Sequence, residues 1–359
     1  MKLLTIIGAR PQFIKAAAVS RAIAKTPGLQ EILVHTGQHF DANMSDVFFE
    51  EMDIPRPDHQ LAIHSLSHGA MTGRMLEEIE KILMQERPDC VLVYGDTNST
   101  LAGALAAKKL HLKVAHVEAG LRSFNLRMPE EVNRILTDRI SDFLFCPTDA
   151  AVHNLDLEGF ANFPCRIEQV GDVMQDAALF YLPKSEQQSA ILDTLGLQKG
   201  EFFLATIHRA ENTDDPLRLA QIVASLNRLA QESPVVFPVH PRTRARLAEQ
   251  GLSASVRTLD PVGYLDMIQL IAGSRMVITD SGGLQKEAYF FQKYCLTLRP
   301  ETEWIELVTH GFNRLSEPDP EQVMEAVHYF SRLSFPDASG LYGGGRASEA
   351  ICNILSEAG

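Results

Sequence analysis

Short, mostly apolar runs rich in β-branched residues recur along the whole chain, each followed by a helical stretch. That alternation restricts the fold more than any other feature. The runs are LLTII (3–7), EILVHT (31–36), CVLVY (90–94), VAHV (114–117) and FLFC (143–146), then FFLATI (202–207), VVFPV (235–239), VRTL (256–259), MVIT (276–279) and YCLTL (294–298). A strand with one face in water alternates apolar and polar residues, whereas continuous apolar runs suit strands buried on both faces of a parallel sheet. Amphipathic segments such as 68–86, 98–110, 216–233 and 263–272 supply the crossover helices. This is βαβ repetition, and it predicts an α/β fold with doubly wound sheets. Ten strands divide more naturally into two sheets than one, and the strand rhythm lapses over 170–200. The expectation is two Rossmann-like domains joined near Gly171, covering 1–171 and 172–344. Ligands of such sheets bind beyond the carboxyl ends of the strands. The polar residues that follow the strands are therefore the functional candidates, expected to face a shared interdomain cleft.

At 359 residues the chain can build a core in each domain. Its 46 Asp and Glu against 33 Lys and Arg give a formal net charge of −13. That balance excludes a dedicated nucleic-acid binder, which needs a basic footprint, while still allowing a locally positive site for an anionic small ligand. The opening MKLLTIIGARPQF carries one Lys and an apolar run that stops at Gly8. It predicts neither a secretory signal nor a membrane span. Cys90, Cys146, Cys165, Cys295 and Cys352 are scattered and form no CxxC pair, which predicts reduced thiols in a cytoplasmic protein, with no disulfide framework and no metal cluster.

The strongest local signal is VITDSGGLQKEA (277–288), where a strand ends and Ser281, Gly282 and Gly283 open a helix. Glycines let a ligand approach the backbone, and the unpaired N–H groups of a helix start bind anions; a plain capped turn is the alternative. Glu287, about one turn inside, is placed to accept hydrogen bonds from a ribose diol. IGARPQFIK (7–15) puts Arg10 and Lys15 beyond the first strand, as cations for a diphosphate or as ordinary surface charge. TIHRAEN (206–212) and PVHPRTR (238–244) each pair a His with an Arg after a strand: His208 with Arg209, and His240 with Arg242. Two such loops in one domain favour an anionic ligand. In YGDTNST (94–100), Asp96 follows a buried strand and is either a functional acid or a helix cap, although Thr97 or Asn98 can also cap. VAHVEAGLRSFNLRMPEEVNR (114–134) closes a strand on Glu118 and opens a helix with Pro129, Glu130 and Glu131. Proline followed by acids is what a helix N-terminus prefers, so one of that pair need do nothing more. Carboxylates gathered near one set of strand ends point to acid/base work ahead of metal binding.

Taken together, GARPQFIK, TGQHF, GDTNST, HVEAGLR, PEEVNR, HRAEN and TDSGGLQKEA resemble the non-hydrolysing UDP-N-acetylglucosamine 2-epimerase family, in order from residue 2 to about 355. The resemblance implies a glycosyltransferase-B-like fold, a homodimer, a UDP-sugar substrate and no cofactor. It also implies a final helix (about 345–359) that returns to the first domain. Residue by residue, it makes Asp96, Glu118 and Glu130 the acid/base carboxylates, with Lys15 and His208 beside them. Arg10 falls in the cleft, Ser281, Gly282 and Gly283 on the diphosphate, and Glu287 on the ribose; Arg209 and His240, read from their own loops, join the substrate-binding set.

Three segments depart from the family's commoner pattern. Arg10-Pro11-Gln12 stands for Arg-Pro-Glu, QHFDANM (38–44) for a QHR segment, and LRPETEWIELV (298–308) differs as well. These variants resemble the branch acting on UDP-2,3-diacetamido-2,3-dideoxy-glucuronic acid, which forms the mannuronic epimer for surface polysaccharide. Loss of an acid at Gln12 would ease binding of a uronate, and Arg127 offers a cation for its carboxylate. The QHR departure bears on the allosteric substrate site of some members. The competing readings are the plain UDP-N-acetylglucosamine enzyme, a hydrolysing epimerase, a glycosyltransferase of the same fold and a catalytically silent UDP-sugar sensor.

Overall fold

The computed structural model describes residues 1–38, 55–253, 255–336 and 340–359. The chain divides into two compact units, Met1–Ala177 with Ser339–Gly359, and Ala178–Ala338. The division falls inside the helix Val173–Gln188. Among the described residues no helix is long and apolar enough to cross a membrane.

The first unit is a wholly parallel seven-stranded sheet in the order β3-β2-β1-β4-β5-β6-β7. Its strands are β1 Lys2–Ile7, β2 Gln30–His35, β3 His59–Gln60, β4 Cys90–Tyr94, β5 Lys113–Val117, β6 Phe143–Cys146 and β7 Arg166–Gln169. The second unit repeats the plan with six strands, β10-β9-β8-β11-β12-β13, again all parallel. Here β8 is Phe203–Thr206, β9 Val235–Pro238, β10 Arg257–Leu259, β11 Met276–Thr279, β12 Cys295–Thr297 and β13 Asn313–Leu315. These are two Rossmann-like doubly wound units, as the alternation implies.

The central strands are largely apolar because helices cover both faces. Helix His68–Glu86 buries Met75, Ile79, Ile82 and Leu83, spaced as one helical stripe, against Leu4, Ile6, Val91 and Val93. On the other face, helix Arg10–Lys25 packs against the final helix, Ala347–Ala358. The returning chain is fastened by Asp176, whose carboxylate accepts from the N–H groups of Ala347 (3.1 Å) and Ser348 (2.6 Å) at the start of that helix. The strands absent from the sequence reading are β3, β7 and β13. All three are sheet edges, where a strand has one neighbour and little burial to impose an apolar run.

In the order of each sheet, β1 lies beside β4 and β8 beside β11, and from these pairs the winding proceeds in opposite directions. Such reversal points open a crevice at the carboxyl end of the sheet. Arg10 opens the helix after β1, the loop after β4 carries Asp96, and those after β8 and β11 carry His208 and Ser281.

The core also holds a titratable group. His35, at the end of β2, is 1% exposed with its ring 5.0 Å from that of Phe13. Burial pushes the imidazole down to about 4, against about 6.5 in an unfolded chain. Between those values the unfolded chain takes up a proton that the folded one refuses, so stability falls as pH drops from 6.5 toward 4. On going from pH 7 to 4.5, denaturant titration should show the unmodified protein losing about 2–3 kcal/mol more than His35→Leu. Equal losses would contradict this account of His35.

Candidate active site

In the first unit the acids gather at the carboxyl ends of β4 and β5. Glu118 directly follows β5 in the left-handed region, at φ +72°, a conformation that costs a non-glycine residue roughly 1–3 kcal/mol. The backbone is held there by Phe145, whose carbonyl accepts from the N–H groups of Glu118 and Ala119, both at 3.1 Å. The turn aims the Glu118 carboxylate at Lys15 of helix Arg10–Lys25, and the two form an ion pair with side chains 8% and 12% exposed. Gly95 makes room for it. At φ +60° it has no side chain to offer, and a Cβ there would lie 3.3 Å from Glu118 Oε2 and 3.5 Å from Lys15 Nζ.

Asp96 does not cap the following helix. Thr97 does, accepting from the Thr100 N–H at 3.3 Å. The Asp96 carboxylate, one-third exposed, pairs instead with Arg134, while its carbonyl accepts from Asn133 Nδ2 at 2.9 Å. Arg134 also reaches Glu131 at 2.7 Å, so helix Pro129–Ile140 grips the β4 loop. The two adjacent acids thus separate. Glu131 is buried and accepts from the N–H groups of Ser123 (2.9 Å) and Phe124 (2.8 Å). Burial opposes its charge, but those donors and Arg134 prevail and hold its pKa below the ordinary carboxylate value. Glu130 remains exposed on the first helical turn, and Arg127 is exposed on the loop before it. Arg10 is the first residue of its helix.

Gln12 requires a correction. Its side chain is 1% exposed, so it meets no substrate charge. Oε1 accepts from the N–H groups of Gly8 (2.8 Å) and Ala9 (3.0 Å), while Nε2 donates to Tyr94 O (2.7 Å) and to the hydroxyls of Thr97 and Thr100 (both 3.0 Å). Gln12 ties the β1 loop to the β4 loop, and its exchange for Glu carries no direct information about a uronate. The QHF segment continues through 39–44, which lies outside the described residues; Gln38 bonds the Ser99 hydroxyl at 2.7 Å.

In the second unit the organiser is Asp280, which was not singled out in the sequence. It is wholly buried after β11 and accepts from the N–H groups of His208 (3.1 Å) and Arg209 (3.0 Å), and from Asn212 Nδ2 (3.0 Å). His208 is thereby fixed beside the start of helix Gly282–Phe290, its Nδ1 3.4 Å from Asp280 Oδ1. Burial lowers the His208 pKa, with His240 and Arg209 adding to that effect against Asp280, so a neutral imidazole is presented at physiological pH. The His240 ring lies 6.0 Å from that of His208. Its Nδ1 accepts from the Arg242 N–H at 3.3 Å, which leaves Nε2 as the donor.

Ser281 caps helix Gly282–Phe290 through the Leu284 N–H at 3.5 Å. Gly282 is closely backed: a Cβ there would collide with Glu303, and Trp304 Nε1 donates to its carbonyl at 2.9 Å. A Cβ on Gly283 would meet nothing within 4 Å. The ETEW stretch therefore braces the glycine turn. Glu303 pairs with Arg299 at 2.9 Å and approaches Arg209 at 3.9 Å, and the Trp304 ring lies 4.0 Å beneath Lys286. Glu287 is half-buried in the second turn.

Two Rossmann-like units, one presenting acids paired with Lys15 and Arg134 and the other a glycine-opened helix start flanked by histidines, define the glycosyltransferase-B-like class of sugar-nucleotide enzymes. Within that class, residues 21–356 match the family model described as UDP-N-acetylglucosamine 2-epimerase. The chain is 56% identical over 358 residues, 99% of this chain and 100% of the relative, to the UDP-2,3-diacetamido-2,3-dideoxy-D-glucuronate 2-epimerase of Pseudomonas aeruginosa. It superimposes on the crystal structure of Methanocaldococcus jannaschii UDP-GlcNAc 2-epimerase in complex with UDP-GlcNAc and UDP with a TM-score of 0.86 and 42% identity, covering 99% and 100% of the two chains. The Neisseria meningitidis UDP-GlcNAc 2-epimerase bound to UDP-GlcNAc gives a TM-score of 0.87 at 30% identity, again covering 99% and 100%. The chain belongs to the UDP-N-acetylglucosamine 2-epimerase family and is an enzyme, a UDP-sugar 2-epimerase.

The buried role of Gln12 is testable without substrate. Gln12→Leu strands two N–H groups and weakens the bonding of Tyr94 O, at roughly 1–3 kcal/mol for each buried group left unpaired. Denaturant titration should show a loss of about 3 kcal/mol; a loss below about 0.5 kcal/mol would contradict the assignment.

Proposed function

We propose that the chain converts UDP-2,3-diacetamido-2,3-dideoxy-glucuronate into its mannuronate epimer in the cytoplasm, for surface-polysaccharide assembly. The observation that carries this choice of sugar is the end-to-end 56% identity with the P. aeruginosa enzyme of that name. Plain UDP-N-acetylglucosamine is the alternative substrate.

The C2–H of such a sugar is not appreciably acidic. If the C1–O bond to UDP breaks first, positive charge at C1 makes that proton labile. Loss of UDP and of the C2 proton leaves a 2-acetamidoglycal; a proton then adds to C2 from the other face while UDP returns to C1. The residues supply what each step needs. Asp96 and Glu118, paired with Arg134 and Lys15, and the exposed Glu130 take and return the proton. The hydroxyl of Ser281 and the N–H groups of Gly282 and Gly283, with His208, Arg209, His240 and Arg10, take the charge of departing UDP. Glu287 holds the ribose, and Arg127 offers the uronate a cation. A neutral His208 contributes a hydrogen bond to the diphosphate where an imidazolium would hold it too firmly to return. A glycosyltransferase would need an acceptor and no proton-transfer set, and a silent sensor would need no acids at all.

A homodimer fits one further feature. Val132 and Leu136, one turn apart on helix Pro129–Ile140, are 38% and 47% exposed, and Phe124 and Leu126 just before them 76% and 71%. A second copy would cover this apolar stripe.

The test compares kcat/KM for the two UDP-sugars on the unmodified protein, where a preference of about tenfold or more for the uronate is expected. Equal or better use of UDP-N-acetylglucosamine would overturn the substrate and leave the epimerase standing. Asp96→Asn, Glu118→Gln and Glu130→Gln should each cut turnover by roughly 10²-fold or more; near-normal turnover in all three would remove their role.

A further inference from the structure

A charged network lies beneath the acids of the first unit, and the chemistry above does not use it. His116 sits in β5 among Val114, Ala115 and Val117 and is 0% exposed. A Val would fill such a place, and a buried polar ring is tolerated only when fully bonded. It is: Nδ1 lies 2.6 Å from Asp138 Oδ1, and Nε2 lies 2.7 Å from the carbonyl oxygen of Gly95. A carbonyl only accepts, so Nε2 donates. Asp138 is ionised, because its Oδ2 accepts from Arg122 Nη1 (2.7 Å) and the Gly120 N–H (3.1 Å). Arg122 in turn forms a two-point bridge to Glu158, at 2.6 and 2.8 Å.

We propose that His116 is a positioning residue: bonded at both ring nitrogens, it clamps together the three segments that carry Asp96, Glu118 and Glu130. Gly95 immediately precedes Asp96, and its peptide is oriented by the Nε2–H bond. Glu118 lies two residues beyond His116, and Gly120 is tied to the same Asp138. Asp138 belongs to helix Pro129–Ile140, which carries Glu130 and Arg134. Gly95 also forms the wall against the Lys15–Glu118 pair. Rotation of its peptide would displace Asp96 and that pair together. A Gln side chain at 116 cannot reach both Asp138 and Gly95 with the same geometry.

The inference rests on the carboxylate assignment above, and the two fail differently. If that assignment is wrong, the Asp96, Glu118 and Glu130 variants stay active. If only the clamp is wrong, they lose activity and His116→Gln keeps it. In folded His116→Gln, kcat should fall on the order of 10–100-fold, while KM and the calorimetric affinity for UDP stay within about threefold. A kcat within about threefold of the unmodified protein would overturn the proposal, and so would a parallel loss of kcat and UDP affinity, which marks a merely structural residue. Should that variant fail to fold, the unmodified protein decides. Two-bond ¹⁵N–¹H NMR of its histidine rings should show the His116 Nε2 carrying a proton, and a bare Nε2 would end the proposal.

Discussion

Both units depend on the same constraint: a parallel sheet whose winding reverses at one pair of strands. At β1/β4 and at β8/β11 the connections leave in opposite directions, and loops meet at the carboxyl edge with no helix laid across them. The backbone N–H groups there need partners, and the chain supplies them with buried side chains. Gln12 serves the first reversal and Asp280 the second, each accepting two backbone N–H groups of one loop while belonging to, or reaching, the other. What faces outward from these loops is free to vary with chemistry because what faces inward is fully bonded.

The pairing of the acids follows from that arrangement. Glu118 and Asp96 each meet a cation from a different helix, Lys15 in one case and Arg134 in the other. Each pairing fixes the direction of the carboxylate and ties its loop to a neighbouring helix. In the second unit a helix start and His208 present donors, with Asp280 buried beneath them and Glu303 beside Gly282 and Arg209. Under the proposed function, proton transfer falls to residues of the first unit and leaving-group binding mainly to residues of the second.

The sequence revealed the central strands best. Cys90–Tyr94, Phe143–Cys146 and Met276–Thr279 form where their apolar runs begin and end, because burial on both faces leaves no other composition. The edge strands RIEQ and NRL read as loop, since each has a neighbour on one side only and is too short and polar to show an apolar run. At the site, the candidate acids were visible as polar residues closing apolar runs. The partners that organise them were not. Gln12 bonds residues more than 80 positions away, and local spacing cannot distinguish that role from contact with substrate. Asp280, Arg134 and His116 all lie inside quoted motifs, but a lone buried polar residue has no periodic signature. The choice between Asp96 and Thr97 as helix cap required coordinates for the same reason.

The central claim is that this chain breaks and remakes a C2–H bond by way of eliminated UDP. It is tested most directly by letting the unmodified enzyme equilibrate UDP-2,3-diacetamido-2,3-dideoxy-glucuronate in deuterated water and following C2 by proton NMR. The account requires deuterium at C2 of the mannuronate product as it forms, with the same label entering recovered substrate as the reaction reverses. Epimerisation with the original hydrogen retained at C2 would contradict it.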